Sequence, residues 1–341
     1  MKQITLGSTG ITVPQNAFGA LPVQRVDNDA AAALLRRAYE GGMRFFDTAR
    51  AYTDSEKKVG LALSDVRENI YIATKTQART PEAFWRELET SLSLLKTDHV
   101  DIYQFHCCDR VFRPGDGTGM YECMLEAKAQ GKIRHIGMTA HKLQVALDGA
   151  ASGLYETMQY PFSYLASPKE LELVRLCERN NVGFIAMKRL AGGLITNSAA
   201  AMAFMTQFEN VLPIWGIQRE NELDEWLSYM EDTPAMTPEL TAFIEREQTE
   251  LMGEFCRGCG YCMPCPQGIM INQCARMSLM LRRAPSAGWL SEKMQQEMAK
   301  IENCTGCRAC TKKCPYELDT PALLRKNLED YRLVLAGERK V

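Results

Sequence analysis

Nine of the thirteen cysteines fall between residues 256 and 314, eight of them in two runs. The first is Cys256-x2-Cys259-x2-Cys262-x2-Cys265-Pro266, and the second is Cys304-x2-Cys307-x2-Cys310-x3-Cys314-Pro315. Three thiolates at this spacing wrap a tight loop around a cubane, each reaching a different iron. A fourth cysteine followed by proline ligates the other cluster in two-cluster ferredoxins. The spacing therefore assigns Cys256, Cys259, Cys262 and Cys314 to one 4Fe–4S cluster, and Cys304, Cys307, Cys310 and Cys265 to a second. The first run is one residue short before its last cysteine, so Cys265 is the ligand that departs from the pattern. Zinc is the competing reading, but its sites usually draw four ligands from two separated pairs, which evenly spaced cysteines suit poorly.

Disulfides are the other alternative. The N-terminal stretch MKQITLGSTGITV has no basic segment followed by an apolar one, so nothing directs the chain to an oxidising compartment, and a cytoplasmic location is expected. Cys107, Cys108, Cys123, Cys177 and Cys274 are scattered and read as buried, reduced thiols. No window approaches eighteen consecutive apolar residues, which argues against a membrane span. The net charge of −2, with basic residues dispersed, gives no reason to expect nucleic acid.

With 341 residues, 46% of them hydrophobic, the chain can build one large domain and a small one. Over the first 230 or so residues, apolar runs of strand length alternate with amphipathic helical stretches. Strands are expected at Asn16–Ala20, Met43–Asp47, Ile70–Thr76, His99–His106, Ile133–Met138, Thr157–Gln159, Val182–Met187 and Val211–Ile214. Helical patterns include Asp29–Glu40, Pro81–Leu95, Pro168–Asn180 and Glu222–Met230. In Pro81–Leu95, Phe84, Leu88, Leu92 and Leu95 form one stripe. Eight strand-then-helix units point to an α/β fold, a parallel sheet closed into a (β/α)8 TIM barrel. An open doubly wound sheet is the runner-up, weakened by the lack of Gly-x-Gly-x-x-Gly after the first strand.

Chemistry in such a barrel sits at the C-terminal ends of the strands. Here those ends carry Asp47 with Tyr52 just beyond, Lys75, and His106. Each also has a structural reading: a helix cap, a half-buried aromatic, a solvated strand end, a hydrogen-bonded core histidine. Four such groups converging on one rim are harder to explain that way.

Taken with their surroundings, these residues make the chain resemble the aldo/keto reductase family, in the subgroup with a C-terminal iron–sulfur domain. The resemblance lies in Gly42-Met43-Arg44-Phe45-Phe46-Asp47-Thr48-Ala49 with Tyr52 and Ser55-Glu56, in Ala73-Thr74-Lys75, and in Leu88 through His106. It extends through Ile133–Met138 and Ala186–Gly193 to Pro213–Gly216, about two thirds of the chain. The stretch from Cys259 to Pro266 matches the subgroup's first cysteine run.

The resemblance implies a catalytic tetrad of Asp47, Tyr52, Lys75 and His106. Hydride reaching a carbonyl carbon leaves negative charge on oxygen, and Tyr52 would supply the proton. A neighbouring Lys75 ammonium is expected to lower the phenol pKa. Asp47 would fix Lys75, and His106 would hold the carbonyl oxygen. It also implies an extended NADPH, with NADH as the alternative, across the barrel mouth. Gln159 would meet the nicotinamide carboxamide. Thr139 falls where a serine is usual, and Ala140 replaces the neighbouring asparagine. Met187 falls where an aromatic usually stacks on nicotinamide. Lys188, Leu190 and Gly192 belong to a loop along the pyrophosphate. Gly216, Gln218 and Arg219 would hold the adenosine end, with Arg219 the one obvious partner for a 2′-phosphate and Glu222 opposing it.

Beyond the barrel, the stretch between Cys265 and Cys304 reads largely as helix, at Asn272–Arg283 and Ser291–Ile301, split by Pro285 and Gly288. This resembles the α-helical ferredoxin type. Pro234 and Pro238 mark the boundary, giving a barrel over 1–233 and an iron–sulfur domain over 234–341, with a final helix at Pro321–Leu335.

The combined expectation is an iron–sulfur oxidoreductase that reduces a small carbonyl compound with NAD(P)H. The alternative is an electron-transfer protein whose clusters exchange electrons with a redox partner protein while the barrel serves for docking or regulation. Nicotinamide delivers hydride and clusters take single electrons, and no flavin site is recognisable to join them. Substrate choice would lie in rim loops such as Cys107–Gly119.

Overall fold

The computed structural model describes residues 1–251, 255–283, 286–314 and 316–340; Pro285 and Pro315 lie outside the described residues. The chain divides into two compact units. The first is Met1–Arg189 with Met202–Thr237, and the second is Leu190–Ala201 with Pro238–Val341.

The first unit opens with an antiparallel hairpin, β1 (Gln3–Thr5) and β2 (Thr12–Pro14). Eight parallel strands then close a barrel: β3 (Ala17–Gly19), β4 (Phe45–Asp47), β5 (Tyr71–Thr76), β6 (Val100–Cys108), β7 (Ile133–Ala140), β8 (Thr157–Pro161), β9 (Gly183–Met187) and β10 (Val211–Gly216). They neighbour one another in sequence order, and β10 pairs with β3 to close the ring. All eight expected strands are present, and the closed order removes the open-sheet alternative.

Helices return the chain from one strand to the next. Pro81–Leu95 shows why such a segment starts and stops where it does. Thr80 accepts a hydrogen bond from the Ala83 N–H, proline occupies the first turn, and Lys96 ends the helix in a left-handed conformation. Its Phe84, Leu88, Leu92 and Leu95 are buried, the stripe read from the sequence.

Successive side chains on a strand alternate between the two faces of the sheet. Phe45, Ala73, Ile102, Ile185 and Leu212 share one apolar core with Ile4, Leu6, Ile11 and Val13 of the hairpin region. Gly7, at φ +50°, presses on the Asn181–Gly183 backbone so closely that a Cβ would collide with it. The hairpin was not foreseen, because three-residue strands leave too short an alternating pattern to read.

The second unit has helix and loop but no strand among its described residues. A helix, Pro238–Glu250, leads toward the first cysteine run, and the expected final helix, Thr320–Leu335, ends the unit, capped by Asp319. The segment expected as one helix from Asn272 to Arg283 is instead two, Ile271–Cys274 and Met277–Arg283. Asn327 explains the break. Its amide donates to the Ala275 carbonyl at 3.2 Å and accepts from the Ser278 N–H at 2.8 Å, inserting into the helical ladder. Ile269, Met277, Leu281, Met298, Leu324 and Tyr331 form the core of this unit. Among the described residues, no helix is long and apolar enough to cross a membrane.

Candidate functional site

The strand alternation that buries Phe45, Ala73 and Ile102 brings Asp47, Lys75 and His106 to inward positions at the C-terminal ends of β4, β5 and β6. The lower barrel is apolar and the upper barrel polar. Lys75 Nζ lies 2.7 and 2.8 Å from the two Asp47 oxygens and also donates to the Thr48 carbonyl at 2.5 Å. Both residues are almost fully buried. Burial raises the Asp47 pKa, opposed chiefly by the Lys75 ammonium.

Tyr52 sits in the turn after β4, which is tied down by the Thr48 and Ser55 hydroxyls at 2.9 Å and by Ser55 donating to the Ala20 carbonyl. Its ring centroid is 5.2 Å from Lys75 Nζ and 5.7 Å, edge-on, from His106. The structure thus brings the four expected catalytic groups together. The phenol pKa, however, stands well above its usual value rather than below it. Burial dominates, and Asp47 and Cys107 add to the rise. Lys75 does not offset this, because its ammonium is committed to Asp47 and Thr48. Tyr52 is therefore a firmly protonated donor. His106 is neutral: burial, then the Lys75, Arg79 and Lys188 charges, push it down to about 3. Its Nδ1 is buried and has no hydrogen-bond partner among the described residues.

Gln159, on β8, is buried; its amide accepts from Gln104 at 2.9 Å and donates to Asp47 at 3.4 Å. The Thr139 hydroxyl accepts the Cys107 N–H at 2.7 Å, holding a rim residue with φ +55°. Cys107 is thus half-exposed beside the tetrad, unlike the buried Cys108, Cys123, Cys177 and Cys274. Met187 ends β9 with Lys188 just after it, and Leu190 and Gly192 fall in the segment grouped with the C-terminal unit. After β10, which ends at Gly216, Glu222 accepts the N–H groups of Gln218 and Arg219 at 2.9 and 3.1 Å and pairs with the Arg219 guanidinium at 2.5 Å. Arg219 is therefore engaged rather than simply solvated, and Glu222 caps the helix Glu220–Glu231.

Sequence reasoning missed Arg189. It is buried, donates to the Ala186 carbonyl and lies 4.6 Å above the Trp215 ring. Burial pushes it down to about 9, still charged at neutral pH, and its charge helps to keep Asp47 ionised. A lone arginine directly after a strand gives no periodic signal, so composition and pattern could not single it out.

In the second unit, Cys256, Cys259, Cys262 and Cys314 line one cavity. Cys265, Cys304, Cys307 and Cys310 line another, whose wall also includes Cys262. The cysteines group across the two runs, as the crossed assignment requires. Burial, then the neighbouring Cys256 and Cys259, push the Cys262 thiol up to about 12. Crowded thiols that suppress one another's ionisation suit a cationic iron core, which deprotonates its ligands outright. Among the described residues, no three such side chains converge as around a single ion. A cubane asks for no such convergence, since each thiolate meets a different iron.

Comparison with known proteins gives two family matches. The aldo/keto reductase family model matches residues 4–211, and a 4Fe-4S dicluster domain matches residues 255–319. L-galactose dehydrogenase of Arabidopsis thaliana is 32% identical over 56% of this chain and 66% of its own length. The NADH-specific methylglyoxal reductase of Escherichia coli is 28% identical over 65% and 77%. The chain spans about two thirds of the length of the curated relatives it matches. Among solved structures, an aldo-keto reductase from Bacillus halodurans aligns with a TM-score of 0.64 at 21% identity, over 72% of this chain and 96% of that one. One from Klebsiella pneumoniae, in complex with NADPH, aligns at 0.60 and 22%, over 72% and 95%. At these identities the structures speak to the fold.

Proposed function

This chain belongs to the aldo/keto reductase family, and on that premise we propose that it is a cytoplasmic oxidoreductase reducing a small aldehyde or ketone with NAD(P)H. The barrel would span 1–233, and residues 234–341 would carry two 4Fe–4S clusters on the eight cysteines, Cys256, Cys259, Cys262 and Cys314 for one and Cys265, Cys304, Cys307 and Cys310 for the other. The observation that carries the reading is the buried Asp47–Lys75 pair beside Tyr52 and His106.

NAD(P)H supplies the hydride when bound. The residues of the chain do the rest. Tyr52, held protonated, gives its proton to the oxygen on which charge develops. Lys75, fixed by Asp47, packs over the Tyr52 ring and holds the phenol in place beside the reacting carbonyl. Neutral His106 donates a hydrogen bond to the same oxygen, which keeps the carbonyl aimed. For the cofactor, Gln159 and Thr139 would meet the carboxamide, Met187 the nicotinamide face, Lys188, Leu190 and Gly192 the pyrophosphate, and Gly216, Gln218 and Arg219 the adenosine end. A panel of aldehydes and ketones assayed anaerobically with NADPH and NADH tests the reading; no turnover on any of them defeats it.

The second reading, electron exchange with a partner protein, is favoured by the exposure of Cys307, which would bring one cluster near the surface. Anaerobic titration with NADPH separates the two. Bleaching of the cluster absorption without added flavin supports electron flow between nicotinamide and clusters, and no bleaching supports a structural role for them.

The coenzyme prediction follows from Glu222. Its carboxylate both caps a helix and neutralises Arg219. Glu222→Gln keeps an acceptor for the two backbone N–H groups and frees the guanidinium. NADPH affinity should rise by about one decade, the size of a charge-assisted hydrogen bond, while NADH affinity holds. Arg219→Ala should do the reverse. Equal shifts for both coenzymes would place the adenosine end elsewhere.

His106 makes a pH prediction. Its pKa is near 3 in the folded chain against an ordinary 6.5, so between those values the unfolded chain binds the extra proton. Stability should therefore fall as pH drops from about 6.5 toward 3. Urea melts of the wild type and His106→Gln across that window check this. The variant should lose part of the slope, and identical slopes would mean His106 is not held neutral.

A further inference from the structure

Arg276 occupies the break between the helices Ile271–Cys274 and Met277–Arg283 and is 7% exposed. Its guanidinium lies between two glycines from separate loops of the C-terminal unit. Gly192, at φ +67°, belongs to the segment Leu190–Ala201. Gly258, at φ +69°, sits in the loop between Cys256 and Cys259. A Cβ at either glycine would collide with the guanidinium, so both loops are shaped to receive it. On one side Arg276 donates to the carbonyls of Gly192 and, at 3.4 Å, Ala191. On the other, Gly258 donates its N–H to Cys256 Sγ at 3.4 Å.

One buried cation therefore serves two loops with different tasks. We infer that Arg276 is a positioning residue that couples the charge of the cluster held by Cys256 to the Ala191–Gly192 turn, and through that turn to dinucleotide binding. The inference rests on the proposed function, in which this turn receives the pyrophosphate. An arginine fork has fixed geometry, so it cannot strengthen its hold on one loop without weakening its bonds to the other. An electron added on the cysteine side draws the guanidinium toward Cys256. The hydrogen bonds to Ala191 and Gly192 then loosen, and the turn loses the order it needs for an anion. Linkage makes the effect reciprocal: a bound dinucleotide must lower the cluster's potential by the matching amount.

The test uses the full, iron-loaded chain under anaerobic conditions. The probes are ADP-ribose 2′-phosphate and ADP-ribose, which lack nicotinamide and accept no hydride. Calorimetry gives their Kd for the oxidised and dithionite-reduced protein. The expected result is binding at least about fivefold weaker to the reduced form. EPR-monitored titration should show the potential about 40 mV lower with probe bound, the one-electron equivalent of that ratio. In Arg276→Lys, which keeps the charge but not the fork, the ratio should fall below about twofold with iron content unchanged. Arg276→Met should do the same and also lower the potential without probe. Equal affinity for both states in the wild type overturns the coupling while leaving the dinucleotide reading intact. A ratio unchanged in both variants also overturns it, since a merely structural arginine would weaken binding equally in both states. No binding of either probe in either state overturns the dinucleotide reading itself and the coupling with it.

Discussion

Tyr52→Phe should lower kcat by about 10²–10⁴ while NAD(P)H binds as before. The substitution removes one hydroxyl and leaves the ring, so its edge-on contact with His106 and its place beside Lys75 persist. The pKa direction sharpens the expectation. The phenol is held well above its usual pKa by burial and by Asp47, so at neutral pH it carries its proton almost without exception. No neighbouring group replaces it. Lys75 spends its hydrogen bonds on Asp47 and Thr48, and His106, near 3, has no acidic proton to give at neutral pH. Stopped-flow hydride transfer with fluorimetric NADPH binding separates the two effects. Unimpaired transfer in Tyr52→Phe would remove the assigned chemistry and leave electron exchange as the better account.

The barrel and the polar rim at its strand ends were legible in the sequence because both rest on short-period signals. Asp47 and Lys75 each follow a buried apolar residue two positions earlier, Phe45 and Ala73, and His106 follows Ile102 by four, so alternation points them inward. Pro81–Leu95 carries its cap, its proline and its stripe within sixteen residues. What escaped detection lies at long sequence separation. Arg276 meets Gly192 from 84 residues away, and no local pattern marks their pairing. The segment Leu190–Ala201 reads as an ordinary loop of the barrel, yet it packs with the C-terminal unit. The sign of the Tyr52 shift was also out of reach. Sequence places Lys75 near the phenol but does not show that Asp47 has already claimed its charge.

The second large effect concerns iron. Protein purified without oxygen should hold about eight iron and eight sulfide per chain. Single substitutions such as Cys314→Ser and Cys304→Ser should each cost about half, one cubane of the two. Cys274→Ser should cost almost none, because Cys274 is buried among helices and lines neither cysteine cavity. Iron counts from single variants cannot tell a crossed pairing from a sequential one, but pairs of substitutions can. Cys256 and Cys314 line the same cavity from opposite runs. The double variant Cys256→Ser with Cys314→Ser should therefore lose no more iron than either single change, about four atoms. Cys265 lines the cavity of Cys304, Cys307 and Cys310, so Cys256→Ser with Cys265→Ser should lose nearly all eight. Sequential pairing, run by run, predicts the reverse: four lost in the second double variant and eight in the first. Non-additivity of this kind is the signature of residues serving one group. Iron and sulfide assays on the two double variants settle the ligand sets, and zinc in place of iron in the wild type would sink both pairings.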